Sequence, residues 1–280
     1  MADYARPEVL VDTEWVEQHG GDDNVAIVEV DEDTTAYEKG HIPGAISIDW
    51  ANELHDVVRR DFVSSDQLAR LLGAKGISSD DTIVLYSGNN NWFAAYAYWL
   101  FKLRGVANVK LLNGGRKKWE LESRPLVQDQ PNRPPTTFET GSEDDSVRIF
   151  RDEVLARVGT GDIAWVDVRS PEEFRGELLA PPHLPQEQAQ VPGHIPGAAN
   201  ITWSKAVRED GTFKSADELQ ALYEAEGVTA DKDVVAYCRI GERSSHSWFV
   251  LQELLGFERV RNYDGSWTEY GSLVGAPVEK

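Results

Sequence analysis

Gly40-His41-Ile42-Pro43-Gly44-Ala45 recurs unchanged as Gly193-His194-Ile195-Pro196-Gly197-Ala198, 153 residues further on. Downstream of it, Thr82-Ile83-Val84-Leu85-Tyr86-Ser87 is matched by Asp233-Val234-Val235-Ala236-Tyr237-Cys238 at an offset of 151. The same offset aligns Asn113-Gly114 with Asp264-Gly265 and Trp119 with Tyr270. Chance does not keep such motifs in order at nearly constant spacing. The period is far longer than a solenoid unit, so it marks a duplicated domain.

Each copy has the same grammar. Residues 25–30 and 163–168 are short, β-branched apolar runs, and so are 83–86 and 234–237, which predicts buried strands. Residues 109–112 and 260–262 close each copy as further strands. Capping residues followed by helical spacing predict helices from Ser64 or Ser65 to Leu72 and from Ser215 to Tyr223. Two more, 92–103 and 244–255, stop before Gly105 and Gly256. Strands alternating with helices imply a parallel sheet covered on both faces. The expected fold is therefore α/β, two tandem doubly wound domains. Their expected bounds are 1–122 and 146–280, with a Pro-rich linker over 123–145. A second irregular stretch, 178–192, has no counterpart in the first copy and reads as a surface excursion.

Composition narrows the function. A chain of 280 residues fits two domains of about 140. An apolar fraction of 41% with nine Trp belongs to a folded chain, not a disordered one. The net charge of −20 disfavours a nucleic-acid partner, which needs a basic face. An acidic, Lys-poor surface suits a high-salt medium and an ordinary acidic enzyme equally. No run approaches the roughly 20 apolar residues of a membrane span. Residues 1–9 are polar and lack the apolar core of a secretory signal, so the expected location is the cytoplasm. One cysteine allows no intramolecular disulfide and makes a cysteine-built metal site improbable.

That cysteine, Cys238, follows a predicted strand and precedes Arg239-Ile240-Gly241-Glu242-Arg243-Ser244-Ser245 and a helix. In a parallel sheet, ligands bind at the carboxyl ends of strands. Cys238 is therefore expected to face a cleft from an exposed loop. The next helix points its free N–H groups back at the loop, Gly241 lets the loop curl, and Ser244 or Ser245 can cap the helix. N–H donors and two adjacent arginines favour a thiolate.

Here the chain resembles the rhodanese family over nearly its whole length. The motifs that carry the resemblance are Val166-Asp167-Val168-Arg169, Gly193 to Ala198, the loop from Cys238 to Arg243, and Asp264-Gly265-Ser266-Trp267. The resemblance implies transfer of sulfane sulfur from thiosulfate to cyanide or another thiophile through a persulfide on Cys238. It implies a substrate site of Arg169, Arg239, Ile240, Gly241, Glu242, Arg243 and Ser244, with no cofactor or metal. Ile240 departs from the Lys of vertebrate thiosulfate enzymes, and the loop departs from the Cys-Gly-Ser-Gly of mercaptopyruvate enzymes. Arg243 resembles the loop-closing Arg of bacterial members. A mercaptopyruvate sulfurtransferase and a non-catalytic rhodanese-like module stay open as alternatives. A phosphatase on this fold uses Cys-x5-Arg, whereas Cys238 and Arg243 form Cys-x4-Arg. The first copy carries Ser87 at the cysteine position and is expected to be inactive. His41 and His194 occur in both copies, which argues for a structural role.

Overall fold

The computed structural model describes residues 4–181 and 188–280. The chain divides into two compact units. The first unit is Glu8–Asp144 with Val207–Phe213. The second comprises the stretch up to Pro7, Asp145–Ala206 and Lys214–Lys280.

The first unit holds five parallel strands: β1 (Leu10–Val11), β2 (Val25–Glu29), β3 (Ile46–Ser47), β4 (Thr82–Tyr86) and β5 (Val109–Leu112), in the order β1-β5-β4-β2-β3. The second holds four: β6 (Ile163–Asp167), β7 (Ala199–Asn200), β8 (Asp233–Tyr237) and β9 (Val260–Tyr263), in the order β7-β6-β8-β9. Successive strand side chains face opposite ways. Every residue of β2 is buried, so that sheet is covered on both faces. The α/β duplication is thus present as the repeat implied.

Register explains why the repeat is visible in sequence. Glu29 pairs across from Tyr86 in the first unit, and Asp167 from Tyr237 in the second. Each Tyr hydroxyl accepts the amide N–H inside the repeated loop, Ile42 to Tyr86 at 3.1 Å and Ile195 to Tyr237 at 3.0 Å. Both loops need a left-handed glycine at their turn, Gly44 at φ +78° and Gly197 at φ +77°. The histidines lie under these turns. His41 Nδ1 bonds Tyr37 O at 2.9 Å and Nε2 bonds Asp129 O at 2.8 Å. His194 Nδ1 bonds Phe174 O at 2.9 Å. Each ring stacks on an aromatic, Tyr37 or Phe174, at 3.7 and 3.6 Å.

Several segments depart from expectation. The stretch read as a linker is tied to the first unit. His41 and Val127 exchange backbone hydrogen bonds at 2.9 Å, and Thr136 N donates to Gly73 O at 2.8 Å. Arg133 reaches Asp81 at 2.8 Å. Residues 4–7 group with the second unit, where Ala5 N bonds Leu254 O at 2.8 Å and Arg6 pairs with Glu253 at 2.6 Å. Val207–Phe213 groups with the first, through Phe213 N to Asn113 Oδ1 at 3.0 Å and Lys118 to Asp210 at 2.9 Å. Of the excursion at 178–192, residues 182–187 lie outside the described residues, as do 1–3 of the N-terminal stretch. Its described end is anchored: Ala189 belongs to the core, and Trp267 Nε1 donates to Val191 O at 3.0 Å. The helix expected over 244–255 starts at Glu242 and passes into π-helical turns over Val250–Leu254. No described helix is long and apolar enough to cross a membrane.

Tyr86→Phe and Tyr237→Phe each strand a buried N–H and should each cost about 1–3 kcal/mol in denaturant unfolding. Loss from only one of the pair would show that the two loops are not held in the same way.

Candidate active site

Cys238 follows directly on β8. It has no exposed surface, and Arg239, Glu242 and Arg243 are 4–5% exposed. This corrects the expectation of an exposed loop. The cause is backbone tethering from the turn after β9. Trp267 N donates to Cys238 O and Thr268 N to Arg239 O, both at 3.0 Å. Cys238 N donates to Ser266 Oγ at 3.0 Å. Ser266 itself holds a left-handed φ of +52°. Of the loop residues from Cys238 to Ser244, Ile240 alone is partly exposed.

The sulfur sits in the loop's concave side. Gly241 adopts φ +102° and directs its N–H to Cys238 Sγ at 3.1 Å. Glu242 Oε2 stands 3.8 Å from the same sulfur. The helix that follows has Gly241 as its N-cap and no side-chain cap. Ser244 and Ser245 therefore do not cap it. They lie in its first turn, and their hydroxyls donate back to Gly241 O at 3.1 and 2.7 Å. Asn262 Nδ2 donates to the same carbonyl at 3.1 Å. Three donors on one oxygen fix the peptide whose nitrogen faces the sulfur.

The arginines are engaged, not solvated. Arg243 forms a two-pronged pair with Glu173 at 2.8 and 3.0 Å. Burial works against charge on both groups. For Glu173 the Arg243 hydrogen bond and charge win, and the carboxyl is held below its usual range. Arg243 is held charged by Glu173, with Cys238 and Glu242 adding to the same effect. Sequence reasoning missed Glu173. Its signal is the capping box begun by Ser170, with Pro171 at the helix start. Arg169 is also fully buried. Nε and Nη2 bond the Asp167 carboxylate, and Nη2 also bonds Gly193 O at 2.6 Å. Its Nη1 has no hydrogen-bond partner among the described residues. The guanidinium lies 4.8 Å from the ring centre of Trp267, the residue whose N–H tethers Cys238 O.

The first unit keeps this frame and loses the cradle. Arg116 takes the place of Arg169, bonding Glu29 and Gly40 O, both at 2.5 Å. Ser87 stands at the strand end, but Asn89, Asn90 and Asn91 are all left-handed. Asn91 turns inward, taking the Ser87 N–H at 2.8 Å and donating to Leu112 O. Ser87 Oγ donates to Gly88 O and accepts from Ala94 N, both at 3.2 Å. Neither contact supplies a base. Among the described residues, no group of three or more His, Cys, Asp or Glu is arranged to hold a metal ion.

The pattern of a rhodanese-like domain matches this chain twice, over residues 12–122 and 150–273. The chain belongs to the rhodanese family. A relative from Saccharopolyspora erythraea, named "Putative thiosulfate sulfurtransferase", is 63% identical over 275 residues, 98% of this chain and 97% of that one. The rhodanese named sulfur carrier protein TtuD, from Thermus thermophilus, is 57% identical over 280 residues, 99% of this chain and 98% of its own. Among solved structures, an EanB variant with a cysteine persulfide and ergothioneine superposes with a TM-score of 0.83. Its identity is 26%, and the match covers 100% of this rhodanese and 72% of that chain.

Breaking one side of the buried pair leaves the other charge unpaired. Glu173→Gln should therefore cost about 3–5 kcal/mol at neutral pH. The folded carboxyl titrates below its unfolded value, so the pair's contribution is present above the usual carboxylate range and is lost as pH falls through the folded value. The gap between variant and wild type in urea unfolding should narrow in acid. An unchanged gap would mean that the pair's charge contributes nothing.

Proposed function

We propose that this rhodanese-family protein is a sulfurtransferase that moves sulfane sulfur from thiosulfate to cyanide or another thiophile, carrying it as a persulfide on Cys238. The observation that carries this reading is the Gly241 N–H aimed at Cys238 Sγ from the N-terminus of a helix. Such a donor stabilises negative charge on sulfur at the point where the chemistry needs it.

The Cys238 thiolate attacks the outer sulfur of thiosulfate. A sulfur–sulfur bond forms, the bond to the sulfonate sulfur breaks, and sulfite leaves with the electron pair. The terminal sulfur of the persulfide is then taken by the acceptor, cyanide becoming thiocyanate, and the thiolate returns. No redox partner or cofactor enters the balance. Arg169 Nη1 is the buried donor we assign to the anionic substrate, since it projects just past β6, beside the end of β8 that bears Cys238. Arg239, Ile240, Gly241, Glu242, Arg243 and Ser244 form the wall, with Arg243 holding the loop shut through Glu173.

The names of the relatives support sulfur transfer, and that of the Thermus protein supports a carrier role in which the acceptor is another macromolecule or thiol. The Cys238 loop lacks the Cys-Gly-Ser-Gly of mercaptopyruvate enzymes, which favours thiosulfate as donor.

Steady-state thiosulfate:cyanide turnover tests the reading. Cys238→Ser should abolish it with an unchanged melting temperature, while Ser87→Ala should leave it within about twofold, since a contact of a few tenths of a kcal/mol is all that is lost. Turnover surviving in Cys238→Ser, or vanishing in Ser87→Ala, would overturn the assignment.

A further inference from the structure

The nucleophile's geometry depends on one peptide, and that peptide rests on Asp264. A side chain at Gly241 would meet Asp264 Cα and Cβ at 2.9 Å, so the loop lies directly on this residue. Asp264 is not free to move. Its carboxylate takes Nε and Nη2 of Arg148 at 2.8 and 2.9 Å, a bidentate pair with side chains 8% and 12% exposed. Arg148 is fixed in turn. It forms a parallel bridge with Asn262, Ile149 N donates to Asn262 O at 3.2 Å, and its guanidinium covers the Phe150 ring at 4.4 Å. Asn262 closes the circuit, because its Nδ2 donates to Gly241 O at 3.1 Å and to Ser245 Oγ at 2.9 Å.

We propose that Arg148 and Asp264 are a positioning pair that sets the Gly241 N–H against Cys238 Sγ, an inference that rests on Cys238 being the sulfur-carrying nucleophile. Neither residue touches the sulfur. Their action passes through the floor under Gly241. Arg148 lies just ahead of the second matched stretch, in a segment whose composition reads as the end of a linker. Its contribution comes from extending the sheet beside β9, where one guanidinium reaches the loop's support.

The pair predicts a split between binding and reaction. Loading of sulfur onto the full-length protein from thiosulfate is followed in single turnover by intact mass, at several thiosulfate concentrations. Rates are scaled to the folded fraction from tryptophan fluorescence. Arg148→Met and Asp264→Asn should lower the maximal loading rate roughly ten- to a hundredfold, as expected when a reacting group is misplaced. The thiosulfate concentration for half-maximal rate should stay near wild type, because neither residue binds the donor. Arg148→Lys should recover part of the rate with a melting temperature near wild type, and it carries the test if Arg148→Met does not fold. Loading at the wild-type maximal rate in folded Arg148→Met and Arg148→Lys would overturn the proposal and make the pair purely structural. A wild-type protein that takes up no sulfur would instead defeat the reading of Cys238, and the proposal with it.

Discussion

A buried carboxylate at the end of the first long strand of each unit has to be held among apolar groups, and the rest of each fold is arranged around that need. An unpaired charge there would cost several kcal/mol. Both units meet it with the tyrosine opposite in register and with an arginine that also bonds the glycine opening the repeated loop. The arginines come from different places, Arg116 after β5 and Arg169 after β6. In the first unit burial still pushes Glu29 above its usual range, with Arg116 and Tyr86 pulling the other way. The constraint is therefore the carboxylate, and the source of the cation is free to vary.

Given that common frame, the difference between the units lies in the few residues after the middle strand. Gly241 turns an N–H toward a sulfur. Three left-handed asparagines instead let Asn91 fill the equivalent space and take the Ser87 N–H for itself. Asparagine tolerates that conformation better than other side-chain-bearing residues, which explains its run of three. One loop is open to chemistry on its inner side and the other is satisfied internally. The scaffold is shared, and the chemistry is confined to the copy with a cysteine and a glycine at the right spacing.

Most of the frame was legible in the sequence because it is built from local signals. Strands β2, β4, β6 and β8 are apolar runs of nearly the expected length, and the helix over Trp92–Leu103 matches its expected bounds. The histidines' structural role followed from their presence in both copies. Long-range contacts were not legible. Nothing local marks Arg116 as the counterpart of Arg169, or Glu173 as the partner of Arg243 seventy residues away. Nor does composition reveal that Val207–Phe213 groups with the first unit, or that Arg148 extends the second sheet. The burial of Cys238 was missed because strand-end position predicts a cleft, while three backbone tethers from the turn after β9 draw the loop inward.

The central claim is that sulfur rests on Cys238 between two half-reactions. Intact mass after thiosulfate treatment, followed by peptide mapping, tests it most directly. The account predicts a gain of one sulfur atom per chain, located on the peptide containing Cys238 and removed by cyanide. An unchanged mass, or sulfur on a peptide lacking Cys238, would contradict it.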